Sequence, residues 1–308
     1  MNPNSPDLIV VLGMHRSGTS IITGMLEKLG GSVGETPMPA APENPDGFWE
    51  NEEVVLLNEA YLDKLRSCWA DPHLLPEDVW QDEITTKFRK KADKLLKREY
   101  AGHEMALVKD PRMCRVMPLW DPIFAEHYQR ITCVVASRPF PEVVLSLARR
   151  NDFSAYLGTL LWIQHVLLAE RYSRPYPTFF TSFTKITTEP DTIAAALAEF
   201  TSVTDQQKIS AASGMVKPQL RTKASDEKIA WLRKSNPAFE IAAKLDEILH
   251  NGNERPPAEA MNDATKEFQA LLAQIPQDLR GTYETLSIPV RRKNTQLKQE
   301  LAELRGES

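Results

Sequence analysis

Cysteine is scarce in this chain of 308 residues, and Cys68, Cys114 and Cys133 stand far apart with no C-x-x-C spacing. That excludes a disulfide framework and a cysteine-built zinc site. No run of about 18 apolar residues occurs, so an integral membrane segment is excluded too. Residues Met1 to Asp7 hold neither a basic nor an apolar leader-like stretch, and the expected location is cytoplasmic. Positive charge is not in excess: 37 Lys and Arg face 42 Asp and Glu, a formal net charge of −5. A general binder of nucleic acid is therefore not expected, and cations that hold an anion must be gathered locally. Internal repeats and low-complexity tracts are also missing. What remains is a soluble globular composition, 42% apolar and 26% charged, long enough for a substantial core.

The most informative stretch lies near the start. Leu8-Ile9-Val10-Val11-Leu12 is an uninterrupted aliphatic run, as in a strand buried on both faces of a parallel sheet. Ile21, Ile22, Met25, Leu26 and Leu29 then recur at helical spacing, and Gly30-Gly31 ends that helix. Between strand and helix, Gly13-Met14-His15-Arg16-Ser17-Gly18-Thr19-Ser20 brackets a four-residue loop with glycines. Backbone N–H groups of such a loop converge on an anion at the positive end of the helix dipole. The spacing is that of GxxxxGK[ST], but Thr19 replaces the lysine and Arg16 is the cation inside the loop.

Two further aliphatic strands end in charge. Met105-Ala106-Leu107-Val108 runs into Lys109-Asp110-Pro111-Arg112, where the proline turns the chain out of the sheet. Ile131 to Ser137 runs into Arg138-Pro139, and a helix from about Pro141 places Ser146 eight residues after Arg138. Charged groups at the carboxyl ends of parallel strands lie where open α/β sheets bind ligands. Arg138 and Ser146 can thus face one anion. Thr178 to Phe183 is a fourth strand candidate, followed by a helix over Pro190 to Phe200.

These motifs resemble the sulfotransferase family of bacterial type, whose donor substrate is 3′-phosphoadenosine 5′-phosphosulfate. Arg16-Ser17-Gly18-Thr19-Ser20 is similar to its 5′-phosphate loop, Lys109-Asp110-Pro111 to its second strand end, and Arg138 with Ser146 to its 3′-phosphate site. The resemblance covers about residues 8 to 225. It implies a P-loop-like, three-layer α/β fold with a central, mostly parallel sheet. It also implies donor binding by His15, Arg16, Ser17, Gly18, Thr19, Ser20, Arg138 and Ser146, with Arg221 in a late basic segment, and no required metal. The family's lysine is replaced by Arg16, which acts as a fixed charge and leaves protonation of the leaving group unassigned.

Sulfuryl transfer asks for an in-line arrangement, cations for the leaving oxygens and a base for the acceptor hydroxyl. Arg16 and Lys109 are the expected cations. Glu50, in Gly47-Phe48-Trp49-Glu50, is the first candidate base, with Glu35 and His15 as alternatives; Glu50 could equally be a carboxylate at a helix N-terminus. His165 reads as a packed histidine, and Ile84 to Tyr100 as a charged, mostly exposed helix.

The expected domains are 1–225, nucleotide-binding with an acceptor-side insertion at 63–104, and 226–308, a helical extension. Val290, Asn294, Leu297, Leu301 and Leu304 give a short coiled-coil pattern at 288–305, open between packing on its own domain and forming a homodimer. Trp49, Trp69 and Trp80 suggest stacking surfaces for a saccharide or glycolipid acceptor. Two rival functions share the scaffold, a Mg-ATP phosphotransferase and a non-catalytic nucleotide-binding or interaction protein.

Overall fold

The four aliphatic runs form one sheet in the computed structural model, which describes residues 7–40, 47–217, 223–250 and 255–275. They are β1 (Asp7–Leu12), β2 (Met105–Lys109), β3 (Arg130–Ser137) and β4 (Thr178–Ser182), all parallel, in the order β2-β1-β3-β4. Val10 lies beside Val108 and Cys133, which brings the carboxyl ends of β1, β2 and β3 to one edge of the sheet.

The helices are α1 (Thr19–Lys28), α2 (Glu52–Lys64), α3 (Glu83–Glu99), α4 (Met113–His127), α5 (Phe140–Asn151), α6 (Ala155–Ser173), α7 (Phe183–Thr188), α8 (Pro190–Phe200), α9 (Gln206–Ser213), α10 (Asp226–Ser235), α11 (Phe239–His250) and α12 (Ala258–Ala273). Strand alternation explains the layers. Leu8, Val10 and Leu12 pack with α2, α3, α4 and the end of α6, whereas Ile9 and Val11 pack with α1, α8 and α9. Both faces are covered, as a continuous aliphatic strand requires. The helix after β1 lies on one face and the helix after β2 on the other. Between these adjacent strands is the crevice where an open α/β sheet takes its ligand.

Two helices differ from the sequence expectation. α3 is not mostly exposed: Phe88, Ala92, Leu95 and Leu96 share one face and enter the core, and its many lysines lie on the other. Mean polarity hid an amphipathic helix. α4 was not foreseen because Pro118 and Pro122 stand inside it. A proline removes one helical N–H and frees the carbonyl four residues before it. For Pro122 that carbonyl belongs to Pro118, and Arg89 Nη2 of α3 donates to it at 3.0 Å. The defect is satisfied by a neighbouring helix, so α4 continues through it.

A second core joins α5 and α6 to the C-terminal helices, with Phe140, Trp162 and Leu160 against Leu232, Phe239, Met261 and Phe268. α6 is apolar nearly all round because it borders both cores. The 288–305 pattern and the homodimer it suggested lie outside the described residues. Among the described residues, no helix is long and apolar enough to cross a membrane.

Phe268 of α12 is fully buried in that second core. Phe268→Ala is expected to cost about 3 kcal/mol or more in a urea titration of the whole chain. A loss below about 1 kcal/mol would mean that α12 is not part of the cooperative unit.

Candidate functional site

The loop between β1 and α1 forms because its backbone can take shapes most residues avoid. Arg16 (φ 68°) and Gly18 (φ 91°) are both left-handed. At Gly18 a Cβ would also stand 2.8 Å from the Phe183 ring, so the position needs glycine on two counts. No side chain caps the N-terminus of α1, which leaves its first-turn N–H groups to an anion. Ser17 N–H closes the loop on Met14 O at 3.1 Å, and Gly13 N–H donates to Cys114 Sγ at 3.2 Å.

Three sequence-predicted residues from separate segments meet on this loop. Arg16 Nε donates to Ser146 Oγ at 3.1 Å, and Arg138 Nη1 donates to the Arg16 carbonyl at 3.2 Å. Arg138 is itself held by Glu142, its Nε donating to Oε2 at 2.8 Å, and lies 4.1 Å above the Phe183 ring. Neither Glu142 nor Phe183 was singled out from the sequence. Glu142 stands four residues after Arg138, the ordinary helical neighbour distance, and that spacing could have found it.

Across the loop, Lys109 at the end of β2 is almost fully buried. Its ammonium forms an ion pair with Glu50 and donates to Phe48 O at 2.9 Å and to Ser20 Oγ at 3.3 Å. Glu50 is therefore not a helix-end carboxylate. Asn51 is the N-cap of α2, its side chain accepting from Val54 N at 3.1 Å, and Glu50 is turned inward ahead of it. Burial raises the Glu50 pKa above the ordinary carboxylate value, with Lys109 opposing and nearby Asp110 adding.

Beneath this pair lies a polar network that sequence reasoning missed. Asp110 accepts from Asn58 Nδ2 at 2.8 Å and from Arg112 Nη1 at 2.8 Å, and Arg112 also pairs with Glu59. Trp120 Nε1 donates to Asn58 Oδ1 at 2.7 Å. Asp110 and Arg112 were legible as a charged strand end; Asn58 and Glu59, on α2, were not.

His15 packs against Trp69, with ring centroids 4.5 Å apart, and stands 6.4 Å from His165. Among the described residues, the buried Nε2 atoms of both histidines have no hydrogen-bond partner. Burial holds His15 well below the usual imidazole value, and the charges of Arg150, Arg112 and Lys109 lower it further. Burial likewise takes His165 to about 3. The His165 Nδ1 lies 2.8 Å from Leu161 O, so that nitrogen carries the proton of the neutral ring. Trp69 and Trp80 are core residues and offer no stacking surface; Trp49 is half-buried.

Glu35 is not brought to this site. Ser32 lies beside Ala106 and Glu35 N–H bonds to Glu99 O, so this segment follows the β2 edge. The Glu35 side chain points outward to His103 Nε2 at 3.0 Å. Arg221 lies outside the described residues. A cavity of 1210 Å³ at the opposite, amino end of the sheet is lined by Asp7, Met105, Arg130 and Lys208 among others and contains none of the residues above.

No family model matches the chain, and no curated protein matches it. Among solved structures it is similar to a sulfotransferase domain from the Synechococcus PCC 7002 olefin synthase, at 14% identity and a TM-score of 0.43, over 90% of this chain and 98% of that one. It is also similar to a sulfotransferase domain from the curacin biosynthetic pathway, at 13% identity and a TM-score of 0.40, over 86% of this chain and 98% of that one.

The two depressed imidazoles give stability a pH dependence with a definite sign. Both stay neutral in the folded chain, while their unfolded counterparts take up protons below about 6.5. The stability they contribute is complete above that value and is lost as pH falls, for His165 toward about 3. Urea midpoints are expected to fall between pH 7 and pH 5, and His165→Gln is expected to flatten that slope. An unchanged slope in the variant would remove His165 as its source.

Proposed function

We propose that this chain is a sulfotransferase that moves the sulfuryl group of 3′-phosphoadenosine 5′-phosphosulfate to a hydroxyl acceptor. The observation that carries the reading is the pair of cationic groups flanking one uncapped helix N-terminus. Arg138, Ser146 and Arg16 lie on one side, and Lys109 with Ser20 on the other. One anion fits the loop, a second fits beside Arg138, and the reacting group fits toward Lys109. A donor with a 5′-phosphosulfate and a 3′-phosphate matches that division.

The residues fit such a donor. N–H groups around Ser17 to Ser20 would hold the 5′-phosphate at the uncapped start of α1, and Arg138 with Ser146 the 3′-phosphate. The acceptor oxygen forms its bond to sulfur as the bond from sulfur to the 5′-phosphate oxygen breaks, and the leaving phosphate keeps the electron pair. Lys109 and Arg16 neutralise the charge that develops there. Lys109 is free to give a proton in a way that Arg16 is not.

Glu50 is the base favoured by its position. Its raised pKa suits proton uptake, and a sulfonate drawn to Lys109 would loosen the ion pair and expose a carboxylate to the acceptor. His15 is the alternative. Its ring is too weak a base before a donor binds, and an anionic donor would offset the cations that depress it. The acceptor class we favour is a saccharide or glycolipid hydroxyl. Metal is not needed where lysine and arginine supply the positive charge.

Calorimetry is expected to show 3′-phosphoadenosine 5′-phosphate binding without Mg²⁺ and more tightly than 5′-AMP or ATP. Arg138→Ala is expected to weaken it about tenfold or more, the worth of a charged hydrogen bond. Preference for ATP with Mg²⁺ would move the reading to a phosphotransferase. Lys109→Met is expected to lower kcat about a hundredfold with the donor KM little changed, since its charge acts on the leaving oxygen. An unchanged kcat would remove Lys109 from the reaction.

A further inference from the structure

The Lys109–Glu50 pair is supplied by an element of unusual shape. Gly47 (φ 97°) and Trp49 (φ 55°) are both left-handed, and such a conformation in a bulky residue like tryptophan persists only when the surroundings impose it. Those surroundings can be named. The Trp49 ring lies against α1 at Gly24, with the Lys28 ammonium 5.8 Å from the ring centre. At the same point stands Met215, from the short segment 214–217 that follows α9. A Cβ on Gly24 would lie 2.6 Å from Met215 Cε and 3.1 Å from Trp49 Cε2, so the three meet with no room to spare.

On either side of Trp49 are the two groups that hold Lys109. The Phe48 carbonyl accepts from its ammonium at 2.9 Å, and Glu50 is its ion-pair partner. The far side of the element is tied down as well, with Met38 N–H donating to Glu50 O at 2.7 Å. Trp49 thus cannot shift without moving an acceptor of Lys109. Met215 cannot leave Trp49 without opening the space that keeps it in a left-handed conformation.

We propose that Trp49 is a positioning residue that couples the segment 214–217 to the Lys109–Glu50 pair, with Met215 as its contact and the bare Gly24 as the seat. Displacing the segment displaces Phe48 O and Glu50 together. The consequence for the reaction rests on the sulfotransferase reading; the mechanical coupling does not. Under it, the lysine and the base reach their working geometry only when residues 214–217 are seated.

The test has two arms on the full chain. In the first, amide hydrogen exchange is read by mass spectrometry on Met215→Ala, with Met215→Leu as the conservative control. Exchange at Met38 and across 47–54 is expected to rise about tenfold in Met215→Ala, while β1 and α1 keep their protection and Met215→Leu matches wild type. Unchanged exchange at Met38 overturns the proposal whatever the enzyme does. In the second, Trp49→Leu and Met215→Ala are expected to lower kcat about tenfold with the donor KM within about twofold. A rise in donor KM at constant kcat would mean that 214–217 touches only the donor, and would overturn the coupling. Failure of the wild type to transfer a sulfuryl group would sink the sulfotransferase reading, and the exchange arm would still decide the coupling.

Discussion

A buried ammonium is the constraint from which most of this site follows. Lys109 ends the edge strand β2 and is nonetheless almost fully buried, and taking its charge out of water costs several kcal/mol unless partners surround it. The chain supplies the Glu50 carboxyl group and the Phe48 carbonyl from one segment and the Ser20 hydroxyl from another, both far from Lys109 in sequence. Each supplier is then fixed in turn. Ser20 is held by the start of α1, and Phe48 and Glu50 by the left-handed turn at Trp49. Asp110, the next residue, anchors the network that reaches α2 and α4. A buried charge of this kind adds little net stability compared with a hydrophobic replacement, which marks the pair as a candidate functional group.

The opposite wall of the site obeys a related rule. Arg138 is buried too, and its guanidinium is shared among Glu142, the Arg16 carbonyl and the face of Phe183. That arrangement fixes a planar cation in one orientation before any ligand arrives, so little ordering remains to be done on binding. Arg16, by contrast, is exposed, its Nε donating to Ser146 Oγ. His15, packed on Trp69, has its pKa held well below the usual imidazole value by burial and then by nearby cations.

The helical C-terminal region connects to this site indirectly. α10, α11 and α12 cover α5 and α6, and α5 carries both Glu142 and Ser146. Phe140, two residues after Arg138, packs on Phe239 and on Trp162, whose Nε1 donates to the Arg138 carbonyl at 3.0 Å. The apolar cover of the second core thereby sets the backbone from which Arg138 projects.

The sequence by itself determined the sheet and one end of it. Strands buried on both faces must be continuously aliphatic, so β1, β2 and β3 announced themselves, and the charged residues at their ends followed from where such runs stop. Lys109 and Arg138 were legible for that reason, Arg16 as the cation in the glycine-bracketed loop, and Ser146 by its spacing from Arg138 on the following helix. Tertiary structure alone decided the partners. That Glu50 joins Lys109 while Glu35 turns to His103 depends on which way two irregular segments leave the sheet edge, and no period encodes that. Tryptophans at 69 and 80 look the same in sequence whether they line a pocket or fill a core. α4 needed Arg89 from another helix to cover the carbonyl freed by Pro122. Periodicity is a local property and survives in the sequence; the pairing of buried polar groups is a long-range property, and only the folded chain brings the partners together.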